Sequence, residues 1–257
     1  MIESDKIIRF MGLRMHTWTM SETVDEIFSR LKYGLFTQHV VVNAAKLINM
    51  DRDKSLRESV EGSDIINIDG MSIVWGARFL GHDVKERVAG FDLFYALLDR
   101  AREEGEPVFL LGAKPEVVEK AAANLRIKYP ELNIAGFHHG YFWDDEESVV
   151  KEIAKSGAKL LFVAITSPKK ENFIHRWQQE LGVNFVMGVG GTFDIAAGIS
   201  KRAPEFMQKH GLEWFYRLVQ EPRRMWKRYL VTNALFAVKL LKFKIFGRFA
   251  SRDKDIF

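Results

Sequence analysis

Asp69 is a residue whose type and position could do chemistry. It follows the apolar run Asp64-Ile65-Ile66-Asn67-Ile68 and precedes Gly70. A carboxylate at such a strand end can act as a general base or hold a sugar or ribose hydroxyl. It can equally serve as the N-cap of a helix starting near Ser72. Gly112-Ala113-Lys114-Pro115 reads as a strand-to-helix turn whose free N–H groups and helix dipole would attract phosphate, although it lacks both GxGxxG and GxxxxGK[ST]. Gly188 to Asp194, which contains Gly190, Gly191, Thr192 and Asp194, has three glycines that would let the backbone approach a ligand closely. A tight loop beneath a helix explains it as well. Near the C-terminus, Arg217, Arg224 and Arg228 fall at i, i+7 and i+11, one face of a helix if Pro222 does not interrupt it, and guanidinium forks suit phosphate oxygens. His138-His139 is a poor metal pair, because adjacent strand side chains point to opposite faces and no acid stands at a recognised spacing.

These residues need a scaffold that brings strand ends together. From about residue 38, short apolar runs alternate with helical stretches: Val40-Val41-Val42 ends at Asn43 with a helix following to about Ser59, and Ser72 to Leu80 follows Asp69-Gly70. Further strands are expected at Val108–Leu111, Leu132–Phe137, Leu160–Ile165 and Phe185–Val189, with Pro115 and Ser167-Pro168 opening helices. The pattern predicts an α/β fold, an open, Rossmann-like, mostly parallel sheet with flanking helices, whose ligands bind outside the carboxyl ends of the strands. After Pro204 the character changes, and Phe206 to Phe249 reads as all helical, rich in aromatic and basic residues. The division expected is an α/β domain over 1–202 and a helical, basic C-terminal appendage over 203–257.

Charge separates the two parts. The formal net charge is +4, yet residues 201–257 hold 14 Lys/Arg against 5 Asp/Glu, a surplus of +9 that leaves the first 200 residues at −5. A basic end on an acidic body points to a localised anionic partner, and nucleic acid is disfavoured because the body offers it nothing. The uncharged run Leu230 to Val238 is cut short by Lys239, Lys242, Lys244 and Arg248, so it falls below the ~20 apolar residues of a membrane span. With Leu235, Phe236, Leu240, Phe243, Phe246 and Phe249 between cations, the segment instead reads as a helix lying on an anionic membrane surface. A composition with 47% hydrophobic residues and 6 prolines excludes disorder, and zero cysteines exclude disulfides and thiolate catalysis. Without an apolar stretch in the first 30 residues, a cytoplasmic location is expected.

Read in order, the strings around Asp69, ERVAGFDLF (Glu86 to Phe94), VFLLGAKP, HHGYF, SPKKENF, GVGGTFD, AGISKRAP and GLEWFYRLVQEPRRMWKRY make the chain resemble the WecG/TagA/CpsF glycosyltransferase family from about Val40 to Tyr229. That resemblance implies an inverting transfer of N-acetylmannosamine, its uronic acid or a hexose from a UDP-sugar to a polyprenyl-diphosphate-linked saccharide, with no cofactor and no required metal. The step would serve polysaccharide biosynthesis on the inner face of the cytoplasmic membrane, where the protein would be peripheral. Asp69 is then the expected base, Asn43 lines its pocket, and Arg87 meets a donor or acceptor phosphate. Gly112 and the loop holding Gly190, Gly191, Thr192 and Asp194 would bind the nucleotide sugar, and Arg217 and Arg224 would close over the diphosphate in place of a metal. A homo-oligomer is compatible with this reading.

Two positions depart from the family pattern. Val41 stands where Thr is frequent, and Lys170 where Gln is common, so Lys170 either contacts the diphosphate or marks a different sugar. A rival of another class is a non-catalytic nucleotide- or phosphate-binding regulatory protein docked to the membrane. A nicotinamide-dependent oxidoreductase is disfavoured by the missing GxGxxG.

Overall fold

The computed structural model describes residues 6–209, 211–220 and 222–252, apart from some side chains of the C-terminal helices. The chain opens with a hairpin, β1 (Ile7–Phe10) and β2 (Leu13–His16), followed by α1 (Met20–Lys32). Next come β3 (Thr37–Val42), α2 (Ala44–Asn49), α3 (Lys54–Glu61), β4 (Ile65–Ile68), α4 (Met71–Phe79) and α5 (Gly90–Glu104). β5 (Val108–Gly112), α6 (Pro115–Lys128), β6 (Ile134–His138), α7 (Glu146–Lys155), β7 (Leu160–Ala164), α8 (Lys169–Trp177), β8 (Phe185–Gly188) and α9 (Thr192–Ala196) complete the alternation. α10 (Glu205–Lys209), α11 (Glu213–Gln220) and α12 (Pro222–Arg252) end the described chain.

The strands form one sheet in the order β1-β2-β4-β3-β8-β7-β5-β6, parallel throughout except for the antiparallel β1/β2 hairpin. The apolar runs are continuous because both faces are covered. Val108, Leu110, Leu160, Phe162, Phe185 and Met187 face α1, α5, α6 and α9, while Phe109, Leu111, Leu161, Val163 and Val186 face α7 and α8. On that second side Val40, Val42, Ile66 and Ile68 pack under α2, α3 and α4. This period of two is the pleat, and it makes the open, mostly parallel α/β sheet with helices on both faces.

Local signals explain the boundaries. The hairpin turns on Met11 and Gly12, both at positive φ (49° and 89°), the two-residue geometry that matches strand twist. α1 begins with a capping box, in which the Glu22 N–H donates to Thr19 Oγ1 at 3.3 Å and the Thr19 N–H to Glu22 Oε2 at 2.9 Å. Gly112 has φ +123°, and a Cβ there would meet Ala164 O at 2.4 Å, so β5 and β7 approach as closely as only glycine permits.

Three expectations need correction. The β1/β2 hairpin adds two strands before residue 38. The stretch after Asn43 is two helices, because Asp53 caps a new start through a 2.9 Å bond from the Leu56 N–H. The run 206–249 is helical as expected, divided among three helices, with α12 opening at Pro222. Arg217 and Arg224 therefore sit on separate helices, and the i, i+7 spacing does not describe one face. α12 also turns part of its apolar surface inward. Phe236 is buried against Phe10 and Gly76, with Leu235 and Leu240 packed beside it, so these three contact the body and not a membrane. Lys239 pairs with Asp51 at 2.6 Å and Lys244 donates to Phe79 O at 2.8 Å, fixing the helix further.

Two histidines lie buried in the sheet. His39 Nε2 and Asn67 Oδ1 are 2.9 Å apart, and His16 Nδ1 accepts the Ile66 N–H at 3.0 Å. Burial pushes both imidazoles down to about 4, with Arg14 adding to the effect at His16. An unfolded chain binds protons at these sites below about pH 6.5 that the folded chain refuses until about pH 4. Stability from them is complete above that window and is lost as pH falls through it, by up to about 1.4 kcal/mol per pH unit for each histidine. Melting temperature should therefore drop between pH 6.5 and 4.5, and the slope should flatten in a His16→Gln/His39→Gln double variant relative to the parent.

Candidate active site at the ends of β3 and β4

β3 and β4 run side by side with Val41 opposite Asn67 and Val42 opposite Ile68, so the residues that follow them emerge together at the carboxyl edge. The Asp69 N–H donates to Val42 O at 3.0 Å and continues the ladder one step. Asn43 is the N-cap of α2, and its Oδ1 accepts the Lys46 N–H at 3.0 Å, which leaves the amide's donor half for a ligand. The N-cap position of α4 is taken by Gly70 and not by Asp69. Gly70 itself is squeezed against Asn43, where an added Cβ would come within 3.2 Å of Asn43 Cβ. These two strand ends, the first turn of α4 and the helices α11 and α12 enclose a cavity of about 430 Å³ lined by Asn43, Asp69, Ser72, Trp75 and Arg87, with Glu213, Trp214, Thr232, Asn233 and Phe236 opposite.

Arg87 comes from the loop before α5. That loop is pinned to the end of β4 by a 2.8 Å bond from the Val88 N–H to Ile68 O. The Arg87 guanidinium lies 3.9 Å from Asp69 Oδ1 and donates through Nη2 to Glu213 Oε2. Glu213 Oε1 in turn accepts from Arg202 Nε at 3.3 Å. Both terminal nitrogens of Arg202 donate to Asp92, at 2.6 and 2.8 Å, and its guanidinium lies 4.3 Å from the centre of the Phe91 ring. Burial alone would raise the Glu213 carboxyl, but hydrogen bonds and charge from Arg87 and Arg202 outweigh it and hold the group below its ordinary value. The result is a chain of alternating charge running from Asp69 to Asp92.

Asn43, Asp69 and Arg87 are thus brought together. Gly112, Lys170, Gly190, Gly191, Thr192 and Asp194 lie outside the cavity lining, further along the same sheet edge at β5, β7 and β8. Thr192 is buried, and its hydroxyl donates to Val189 O at 2.7 Å, closing its own turn. Lys170 crosses Gly188, where a Cβ would collide with its Cε at 2.4 Å. It reaches Glu171 at 3.1 Å, and Lys46 reaches the same oxygen at 2.8 Å. Burial would raise Glu171, but the two ammonium groups hold its carboxyl at about 2. The side chains of Arg217 and Arg224 lie outside the described residues. Among the described residues no group of three His, Cys, Asp or Glu could hold a metal ion.

Sequence reasoning passed over Glu213, Arg202, Trp75, Thr232 and Asn233. Glu213 and Arg202 stand inside the strings GLEW and AGISKRAP, where the neighbouring arginines and glycines drew attention. Nothing local marks an acid as the partner of an arginine 126 residues away.

Arg87 and Glu213 have side chains 19% and 18% exposed, whereas the Lys54–Glu58 pair is 90% and 61% exposed at 3.7 Å. Double-mutant cycles by chemical denaturation should therefore return about 2 kcal/mol for the first pair and under about 0.5 kcal/mol for the second.

A carboxylate beside a guanidinium at the carboxyl edge of a parallel sheet can take a proton from a hydroxyl while the cation meets a phosphate. The sequence matches the glycosyl transferase WecG/TagA/CpsF family over residues 8–250, a span that includes every element lining the cavity. The chain belongs to this family and is a glycosyltransferase, an enzyme with a sugar donor and an acceptor.

Proposed function

We propose that the protein moves N-acetylmannosamine, its uronic acid or a hexose from a UDP-sugar to a polyprenyl-diphosphate-linked saccharide, with inversion and without a metal, in polysaccharide biosynthesis. The observation that carries this reading is the placement of Asp69 beside Asn43 and Arg87 in a cavity roofed by the C-terminal helices. Asp69 takes the proton from the acceptor hydroxyl, whose oxygen attacks the anomeric carbon from the side opposite UDP. The new glycosidic C–O bond forms as the bond from that carbon to the phosphate oxygen breaks, and the electron pair leaves with UDP. Arg87 meets a phosphate. Gly112, Lys170 and the loop from Gly190 to Asp194 receive the nucleotide along the neighbouring strand ends, and Arg217 and Arg224 close over the diphosphate, meeting charge that grows on the leaving group.

In this reading residues 1–202 form the catalytic body and 203–257 an appendage that rests on the inner face of the cytoplasmic membrane. No described helix is long and apolar enough to cross a membrane. α11 and α12 nonetheless expose Phe215, Val219, Trp226, Leu230, Leu241, Ile245 and Phe246, interleaved with lysines such as Lys242, a composition suited to an anionic lipid surface. The body presents no comparable basic surplus, so nucleic acid is not a partner in this proposal.

Asp69→Asn should lower turnover by about 10²–10⁴-fold while UDP binding, measured by calorimetry, is retained. Unchanged turnover would place the base elsewhere. Trp226→Ser/Leu230→Ser/Phe246→Ser should reduce sedimentation with anionic liposomes without changing the melting temperature, since all three side chains are exposed. Undiminished sedimentation would refute the docking surface.

A further inference from the structure

Arg87 and Asp92 lie on one short segment that the sheet holds in place. The Val88 N–H donates to Ile68 O at 2.8 Å, and a Cβ at Gly90 would come within 3.3 Å of Val41 Cγ2 and 3.6 Å of Met187 Cε, so the segment rests against β4, β3 and β8. Arg202 and Glu213 lie on a second segment. Between the two, the four side chains close a ring of alternating charge, from Arg87 to Glu213, from Glu213 to Arg202 and from Arg202 to Asp92. The two arginines have different duties in it. Arg202 commits both terminal nitrogens to Asp92 and its Nε to Glu213, inside the protein. Arg87 gives Nη2 to Glu213 and turns Nη1 toward Asp69 at 3.9 Å, beyond hydrogen-bond length.

That spacing suits a base and a cation that act on one reaction. A guanidinium in full contact with Asp69 would occupy the carboxylate oxygens that have to accept a proton, and one swung away from it would no longer face a phosphate at the same place. Arginine has a long stem with several rotatable bonds, and an unheld cation moves toward the nearest carboxylate. Among the described residues lining the cavity, Asp69, Arg87 and Glu213 carry the charge, so Glu213 is the carboxylate that competes with Asp69 for Arg87. It is equipped to hold on. Each of its oxygens takes an arginine, and those two cations keep its carboxyl below the ordinary value, so it stays ionised at neutral pH.

Resting on the function proposed above, we infer that Glu213 is a positioning residue for the transfer: anchored by Arg202 on Asp92, it holds the Arg87 guanidinium so that it neither closes on the base Asp69 nor leaves it. Glu213 touches neither sugar nor phosphate in this role. It acts through Arg87, whose orientation is set before the substrates arrive, as a fixed cation has to be if it is to stabilise charge without reorganising during the reaction.

The test is chemical rescue in the full chain in detergent, with a UDP-sugar and a prenyl-diphosphate-linked saccharide that the parent uses. Arg87→Ala should lower kcat/KM by about 10²-fold, and guanidinium chloride, kept below about 50 mM to avoid denaturation, should restore part of it with a saturating dependence. Adding Glu213→Gln to Arg87→Ala should raise the guanidinium concentration for half-maximal rescue by about tenfold, because the free cation then loses the carboxylate that holds it. Glu213→Gln alone should lower kcat about tenfold, yet cost the Arg87→Ala chain less than about twofold when no guanidinium is added. Melting temperature registers folding. Should Glu213→Gln not fold, Glu213→Asp, which keeps the charge and is one methylene shorter, should give changes of the same sign and smaller size. Half-maximal rescue at the same concentration with and without the Glu213 substitution would overturn the proposal. So would equal losses from that substitution in the presence and absence of Arg87, the mark of a merely structural role, and where guanidinium rescues neither chain this comparison decides. Failure of the parent to transfer to any prenyl-diphosphate saccharide would instead overturn the proposed function itself.

Discussion

Arg87 has one guanidinium and two carboxylates to serve. Asp69 belongs to the sheet and Glu213 to the C-terminal helices, so the arginine between them ties the end of β4 to the roof of the cavity. Each of the three would be costly to leave half-buried without a counter-charge. If Glu213 moved away, Arg87 would keep only the more distant carboxylate of Asp69, 3.9 Å off. The second link, Arg202 to Asp92, fixes Glu213 from the opposite side through a bidentate pair anchored on α5. The geometry of the site is in this sense an electrostatic consequence of where α11 docks.

Docking itself is a packing matter. Gly76 lacks the side chain that would hold α12 away from α4, and Phe236 occupies the space together with Phe10 from the hairpin. The N-terminal hairpin thus takes part in the site at one remove, by flooring the contact that holds α12. At the other end of the sheet, Gly112 and Gly188 serve the same purpose with different neighbours. Gly112 admits the backbone of Ala164, and Gly188 admits the stem of Lys170. Several of the glycines that attract attention at strand ends are therefore required by close approach within the protein, whatever ligand also comes near them.

The parallel strands were legible because buried strands read as continuous β-branched and aliphatic runs, and each ended in a glycine or polar residue. The hairpin was not. Its strands are four residues each, half exposed in β1, and its turn is Met11-Gly12, not the Asn-Gly or Asp-Gly pair that marks such turns. The C-terminal stretch was legible as helical and basic, but its apolar residues gave no indication of which would face inward. Phe236 and Phe246 are the same residue type ten positions apart; one is 5% exposed and the other 66%. That difference is decided by the presence of Gly76 opposite one of them.

By itself the sequence determined the layered α/β class, the strand-end positions of Asn43 and Asp69, and the basic character of the C-terminal end. Each of these depends on short-range periodicity or composition, which the chain carries locally. The tertiary structure decided that Gly70 and not Asp69 takes the N-cap position of α4, that Arg87 answers to Glu213 as well as to Asp69, and that α12 walls the cavity with Thr232 and Asn233. The pairing of Arg87 with Glu213 and the walling of the cavity by α12 are contacts between residues more than a hundred positions apart. No local pattern encodes them, because they arise only when burial of two separate apolar faces brings the polar groups at their margins within reach of one another.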